Sequence, residues 1–328
     1  MKKIILIISF FILIFLLGPK IEKPIIFKDL PKIKLSINEV KSWIHQKELK
    51  FINIKEGNES RIIFYDSVPK KTNLSIVYLH GFSGSSQDGS PVHINTAKKL
   101  KSNIYLPRLY AHGLNSDEPL LEYTGEKYLD SAREALAIGK IIGEKVILMC
   151  TSTGCSAALA LAANHPQVSA LVMYAPNIRI THPLDFVATL PWGLYIVRLV
   201  EGGKYHYITN TWEDKEKFWT TKYRLEAPIE MQNLLETAMN EEVFRKVMVP
   251  TFSGFYYKNE VEQDNVVSVN AMRMMFKQLG TEDSLKLEIA FEDAGGHEIA
   301  YNIVNKNYLK VQKSTLNFLQ NVFNLNED

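Results

Sequence analysis

The sequence predicts an α/β fold: a mostly parallel eight-stranded sheet with helices on both faces and a helical lid inserted late in the chain. Three observations carry this expectation. Short apolar runs alternate with longer stretches of helical periodicity, the order that folds into a parallel sheet covered on both sides. One such run, Val146 to Met149, breaks abruptly at Cys150-Thr151-Ser152-Thr153-Gly154 into a helix of small residues. About seventy residues separate the apolar run at 169–174 from that at 247–255, too many for a loop in a compact domain.

In chain order, Met1-Lys2-Lys3 precedes an apolar run from Ile4 to Leu17, interrupted only by Ser9 and stopped by Gly18-Pro19-Lys20. The run suits the hydrophobic region of a signal sequence and is short for a spanning helix. No small-x-small cleavage site follows, and Pro19 would block cleavage after Gly18. Residues 1–19 are therefore expected to be an uncleaved, transmembrane signal anchor, with a cleaved signal peptide as the alternative. Lys2 and Lys3 favour an inside N-terminus, whereas Lys20, Lys23, Lys28, Lys32 and Lys34 crowd the other side. Long domains translocate largely regardless of such charges, so the folded domain is expected outside the cytoplasm, periplasmic or at the cell surface.

Residues 20–45, punctuated by lysine and proline, read as a tether with a short helix from Ile37 to Ile44. Strands are predicted over 49–55, 61–66, 74–80, 103–107, 145–150, 169–174, 247–255 and 285–291. Ser90-Pro91 reads as an N-cap followed by proline at the first helical position. A helix over 126–142 aligns Tyr128, Ala132, Ala135, Ile138 and Ile142, and a C-terminal helix aligns Tyr308, Val311, Thr315, Phe318 and Val322. The core thus divides into 46–181 and 247–328, with the lid over 182–246. From Leu184 to Val200 the lid is nearly continuous apolar sequence, and Trp192 and Leu194 are expected to line a substrate pocket.

The chemistry begins at Ser152. A serine on a sharp strand-to-helix turn has its hydroxyl thrust out at the end of a sheet, where it can attack a carbonyl. Such attack needs hydrogen-bond donors for the oxygen that becomes negative. The backbone N–H groups of Phe82, in the glycine- and serine-rich loop after His80-Gly81, and of Thr153 are the two expected. A late strand is followed by Asp264 just before Val266-Val267, with Glu260 and Glu262 close enough to compete for the same role. The last strand runs into Ala294-Gly295-Gly296-His297. Ser152 as nucleophile, His297 as general base and Asp264 as its acid form a triad, each member at a strand end. His80 and His112 read as structural.

These segments resemble an α/β-hydrolase of the carboxylesterase and monoacylglycerol-lipase branch, grouped with the serine aminopeptidase S33 sequences. The resemblance covers roughly residues 60–325 and includes Pro107-Arg108-Leu109-Tyr110-Ala111-His112-Gly113, similar to the Arg/Lys-Gly-His-Gly loop of that branch. Cys150 stands where the first glycine of Gly-x-Ser-x-Gly belongs, and Ala111 where a glycine precedes the loop histidine. The resemblance implies hydrolysis through an acyl-enzyme on Ser152, on a carboxylic ester of medium-chain or lipid-like character. A peptidase or amidase of the same fold and a non-catalytic binding protein are the alternatives. An aspartate nucleophile, as dehalogenases and epoxide hydrolases need, is absent.

Composition agrees with one sizeable domain. The 328 residues are 46% hydrophobic and 23% charged, with a net charge of +2 that shows no bias toward nucleic acid. Neither cofactor nor metal is expected: there is no phosphate loop, and two cysteines without histidine partners do not suggest zinc. Cys150 and Cys155 are expected to pack as small residues rather than to bridge. The partners expected are a small-molecule or lipid-like ester and a membrane met through the N-terminal segment.

Overall fold

A computed structural model describes residues 2–182, 185–209, 212 and 214–325. Leu184, at the start of the expected apolar lid segment, lies outside the described residues, as do residues 210, 211 and 213 of the insertion. The strands are β1 (Arg61–Ile63), β2 (Thr72–Leu79), β3 (Asn103–Leu106), β4 (Gly143–Thr151), β5 (Val168–Tyr174), β6 (Tyr205–Tyr207), β7 (Lys222–Arg224), β8 (Thr251–Tyr256) and β9 (Lys286–Phe291). The helices are α1 (Lys2–Leu16), α2 (Ile37–Glu48), α3 (Val92–Lys99), α4 (Gly125–Ile142), α5 (Thr153–Asn164), α6 (Gly193–Val200), α7 (Lys215–Phe218), α8 (Glu226–Ala238), α9 (Glu241–Lys246), α10 (Val269–Gln278) and α11 (Tyr308–Phe323).

Among the described residues the main sheet has seven strands, not eight, in the order β1-β3-β2-β4-β5-β8-β9. Every pairing is parallel except that of β1 with β3. The missing strand is the one predicted at 49–55. There Phe51 is 43% exposed and Ile52 is fully exposed, and Ile54 makes only an isolated bridge to Leu114. With no apolar face buried, nothing repays the ordering of a longer ladder.

The alternation of buried residues along the central strands explains the layering. Val77 and Leu79 of β2 and Val146, Leu148 and Cys150 of β4 join one core, where α4, α5, α8 and α10 cover the sheet. Ile76, Tyr78, Ile147 and Met149 point to the other, covered by α3 and α11. Within the segment expected as a tether, α2 buries Val40 and Ile44 in the first of these cores. Helix α3 starts one residue later than expected, at Val92, with Pro91 itself in the cap position after a cis Ser90–Pro91 bond.

Cys150 and Cys155 form a disulfide, contrary to the packing expected of them. The turn at Ser152 folds the start of α5 back on the end of β4, leaving the two Cα atoms 5.0 Å apart, within bridging range. The cysteine at the first glycine position of the elbow is thus accommodated by a covalent tie.

The insertion between β5 and β8 contains more than helices: α6, α7, α8 and α9 share it with a two-stranded antiparallel ribbon, β6–β7. At the other end of the chain, α1 leaves apolar side chains exposed, Ile4 at 62% and Leu6 at 75% among them. Its 15 residues span about 22 Å, short of the ~30 Å hydrocarbon layer of a bilayer. Among the described residues no helix is long and apolar enough to cross a membrane, so the transmembrane anchor expected there is not found.

Candidate active site

β2 is the switch point of the sheet, with β3 on one side and β4 on the other. Crevices form outside the carboxyl ends of strands at such a point. Here the loop leaving β2 meets the turn leaving β4. A methyl group built on Gly81 would lie 3.1 Å from Ser152 Cβ, a tight contact that would press the loop and the nucleophile turn apart by a few tenths of an ångström.

Ser152 occupies the left-handed region with φ 54° and ψ −124°, an arrangement costing about 1–3 kcal/mol for a residue with a side chain. It is held there by three backbone hydrogen bonds: its N–H donates to Tyr174 (3.0 Å), and its carbonyl accepts from Cys155 (2.9 Å) and Asn177 (3.0 Å). Gly154, two residues on, lets α5 close against β2, since a Cβ there would sit 2.0 Å from the Leu79 carbonyl oxygen. The N–H groups of Phe82 and Thr153 donate to no protein acceptor among the described residues.

The late loops bring Asp264 and His297 together. Asp264 follows β8, and its side chain is wholly buried. One carboxylate oxygen accepts the N–H groups of Val266 (2.9 Å) and Val267 (3.0 Å), and the other lies 2.7 Å from His297 Nδ1. Among the described residues His297 Nε2, which is buried, has no hydrogen-bond partner, Ser152 Oγ included. In unliganded sites such contacts commonly tighten only when substrate binds. Burial alone would lower the imidazole's pKa; the charge and hydrogen bond of Asp264 override it, aided by Glu298 and Asp88, and hold it above its ordinary value. The competing carboxylates are engaged elsewhere: Glu262 pairs with Lys258 (2.9 Å) and Glu260 accepts from the Tyr257 hydroxyl (2.8 Å).

His80 and His112 shape the loop beneath. Burial drives both imidazoles below their ordinary pKa, His112 to about 4, so both are neutral. Each Nε2 then accepts a backbone N–H, from Leu109 to His80 (3.1 Å) and from Ser83 to His112 (3.0 Å). Each Nδ1–H donates in turn, to the carbonyls of Gly81 (2.9 Å) and Tyr110 (2.8 Å).

Sequence reasoning missed Asp88 and Tyr78. Asp88 is buried, and its carboxylate accepts the Gly81 N–H (2.7 Å) and the Tyr78 hydroxyl (2.6 Å). Tyr78 Oη also lies 2.7 Å from Thr151 Oγ1. Burial pushes the Asp88 carboxyl up to about 7, against the hydrogen bonds of Gly81 and Tyr78. The signals were a tyrosine inside an otherwise apolar strand and the one acidic residue of a loop rich in glycine and serine.

The insertion covers the site from above. Thr220 donates its N–H to the Ser83 carbonyl (2.7 Å), the Trp219 indole packs on Gly84, and Thr153 Oγ1 meets Met231 Sδ of α8 at 3.4 Å. Ser152 and His297 are left only 8% and 7% exposed. Trp192, expected in a substrate pocket, has other partners: its indole N–H donates to the Ile14 carbonyl (3.2 Å) and its backbone N–H to that of Pro19 (3.0 Å). Leu194 is half-buried in the first turn of α6. A cavity of about 480 Å³ lies between α2, α4 and the loop after β3, lined by Phe51, Tyr105, Arg108, Tyr110, Leu120 and Glu134 among others, and includes none of the triad candidates.

The sequence profile of the alpha/beta hydrolase family matches residues 76–297, from β2 through His297. The chain belongs to the alpha/beta hydrolase family. Among curated protein sequences none matches it. Solved structures share the fold of this alpha/beta hydrolase at low identity. One, from work on the metagenome-derived lipolytic enzymes LipS and LipT, is 14% identical with a TM-score of 0.66, covering 82% of this chain and 99% of its own. Est1E from Butyrivibrio proteoclasticus, with ferulic acid bound, is 16% identical with a TM-score of 0.53 over 82% of this chain and 97% of its own. An esterase of Pyrococcus furiosus is 14% identical with a TM-score of 0.52 over 93% and 98%.

Proposed function

We propose that this alpha/beta hydrolase is a serine esterase that cleaves carboxylic esters through an acyl-enzyme on Ser152. The observation that carries the reading is the buried His297 imidazole, its Nδ1 tied to Asp264 and its Nε2 left without a partner among the described residues. With Nδ1–H donating to the carboxylate, Nε2 is the lone-pair nitrogen. It takes the Ser152 proton as Oγ attacks the ester carbonyl, and Asp264 stabilises the imidazolium that forms. The negative oxygen of the tetrahedral intermediate meets the N–H groups of Phe82 and Thr153, each worth roughly 2.7–4 kcal/mol of barrier. Collapse expels the alcohol, which leaves with the proton from His297. Water then attacks the acyl-enzyme by the same route in reverse roles and frees the acid. Lipolytic enzymes and esterases among the structures of this fold support an ester over an amide.

The substrate reading is an ester with a medium-chain or lipid-like acyl group. Its support is the apolar insertion over Ser152 and the exposed apolar α1, whose end the insertion grips through Trp192. On the same reading α1 holds the domain against a membrane surface, outside the cytoplasm. Labelling with a fluorophosphonate probe tests the chemistry. The wild type is expected to label and Ser152→Ala to lose both labelling and ester turnover while keeping its fold. Labelling that survives in Ser152→Ala would remove the assignment, and preference for amides would move the protein to the peptidases.

A further inference from the structure

We propose that Asp88 is a positioning residue for the oxyanion site: it holds the Gly81 amide, and with it the Phe82 N–H, in register with the nucleophile turn through Tyr78 and Thr151. The inference rests on the serine-hydrolase reading and adds to it a residue outside the triad.

The geometry runs unbroken from loop to nucleophile. The Phe82 N–H belongs to the Gly81–Phe82 peptide, so that peptide's orientation aims the donor. Its carbonyl end is fixed by His80 Nδ1 (2.9 Å) and the Gly84 N–H (3.3 Å). The N–H on the other side of Gly81 is fixed by Asp88 Oδ2 at 2.7 Å, across seven residues of loop. Glycine has the loosest backbone of any residue, so two-sided restraint matters most at such a position. The second oxygen of Asp88 takes the Tyr78 hydroxyl (2.6 Å), which in turn lies 2.7 Å from Thr151 Oγ1, the residue before Ser152. Asp88, Tyr78 and Thr151 are each no more than 2% exposed, and Tyr78 is wedged against Gly89, where any Cβ would overlap its ring. A carboxylate serving only to stabilise the loop has no need of a link to β4. This one joins the two elements that carry the two oxyanion donors.

Donor placement affects the transition state more than the bound ester, so the expected signature is in kcat rather than KM. On a p-nitrophenyl ester, Asp88→Ala is expected to lower kcat about 100-fold, comparable with loss of one oxyanion donor, with KM changed less than about threefold. The rate of fluorophosphonate labelling at Ser152 should fall in parallel. Asp88→Asn keeps an acceptor for Gly81 and is expected to recover kcat to within about tenfold of wild type. Tyr78→Phe leaves the Gly81 bond but cuts the link to Thr151 and should cost about tenfold in kcat. Folded Asp88→Ala with wild-type kcat and labelling rate would overturn the inference, as would Asp88→Asn no better than Asp88→Ala. Should Asp88→Ala fail to fold, wild-type kcat in Tyr78→Phe overturns it. A wild-type protein that does not label at Ser152 would instead bring down the serine-hydrolase reading and this inference together.

Discussion

Asp264 Oδ2 stands 2.7 Å from His297 Nδ1, while Asp264 Oδ1 accepts the backbone N–H groups of Val266 and Val267. The carboxylate is thereby fixed by its own loop before it meets the histidine. Its side chain has no exposed surface, so the pair acts in low dielectric, where charge and hydrogen bonding are strongest. The same arrangement decides the tautomer of His297 and leaves Nε2 as the basic atom.

Asp264→Asn is expected to reduce kcat/KM on a p-nitrophenyl ester by roughly 10⁴-fold, because an amide can stabilise the wrong tautomer. Glu260→Gln and Glu262→Gln should stay within about twofold, their carboxylates being exposed and paired with Tyr257 and Lys258. A large loss in either glutamate variant, with a small one in Asp264→Asn, would transfer the role.

The pH profile follows from the direction of the His297 shift. Asp264 holds the imidazole's pKa above its ordinary value, and in the proposed mechanism only the neutral form accepts the Ser152 proton. Activity should therefore fall as pH drops through a limb lying above the ordinary histidine range of about 6.5. In Asp264→Asn the raising influence is gone and burial dominates, so the limb of the residual activity moves to lower pH. Stopped-time kcat/KM measurements across pH 5–10 on both proteins check the displacement and its sign.

Gly154→Ala should destabilise the protein by about 3 kcal/mol or more, since its Cβ would meet the Leu79 carbonyl oxygen at 2.0 Å and neither β2 nor α5 can yield cheaply. Urea denaturation of the variant beside wild type measures the difference. A loss under about 1 kcal/mol would show that α5 can retreat from β2.

Across a p-nitrophenyl ester series, each added carbon pair in a straight acyl chain should improve kcat/KM by up to about tenfold until the pocket is full. Medium chains should outperform acetate. Trp192→Ala should leave this ranking unchanged, because the indole is engaged with the end of α1. Efficiency highest on acetate and falling with chain length would dismiss the lipid-like substrate while leaving the triad assignment untouched.

Sequence alone was enough to specify the layered α/β architecture, because burial on both faces of a parallel sheet demands continuous apolar runs and one-sided helices, and these are legible in one dimension. It also nominated Ser152, Asp264 and His297 as candidates, since strand-end turns carry their own local signals in glycine and in abrupt breaks of periodicity; that Asp264 and His297 meet is a fact of the tertiary structure. What it could not decide were relations between residues distant in the chain. The strand expected at 49–55 lacked a buried face, a property of its neighbours rather than of its own residues. The Cys150–Cys155 bridge depends on how sharply the chain turns at Ser152, and Trp192 depends on where α1 comes to rest. The link from Gly81 through Asp88 and Tyr78 to Thr151 exists only because the sheet places β2 beside β4. Periodicity reports which side of an element is buried; which particular side chains then meet is settled by close packing among elements that share no sequence neighbourhood.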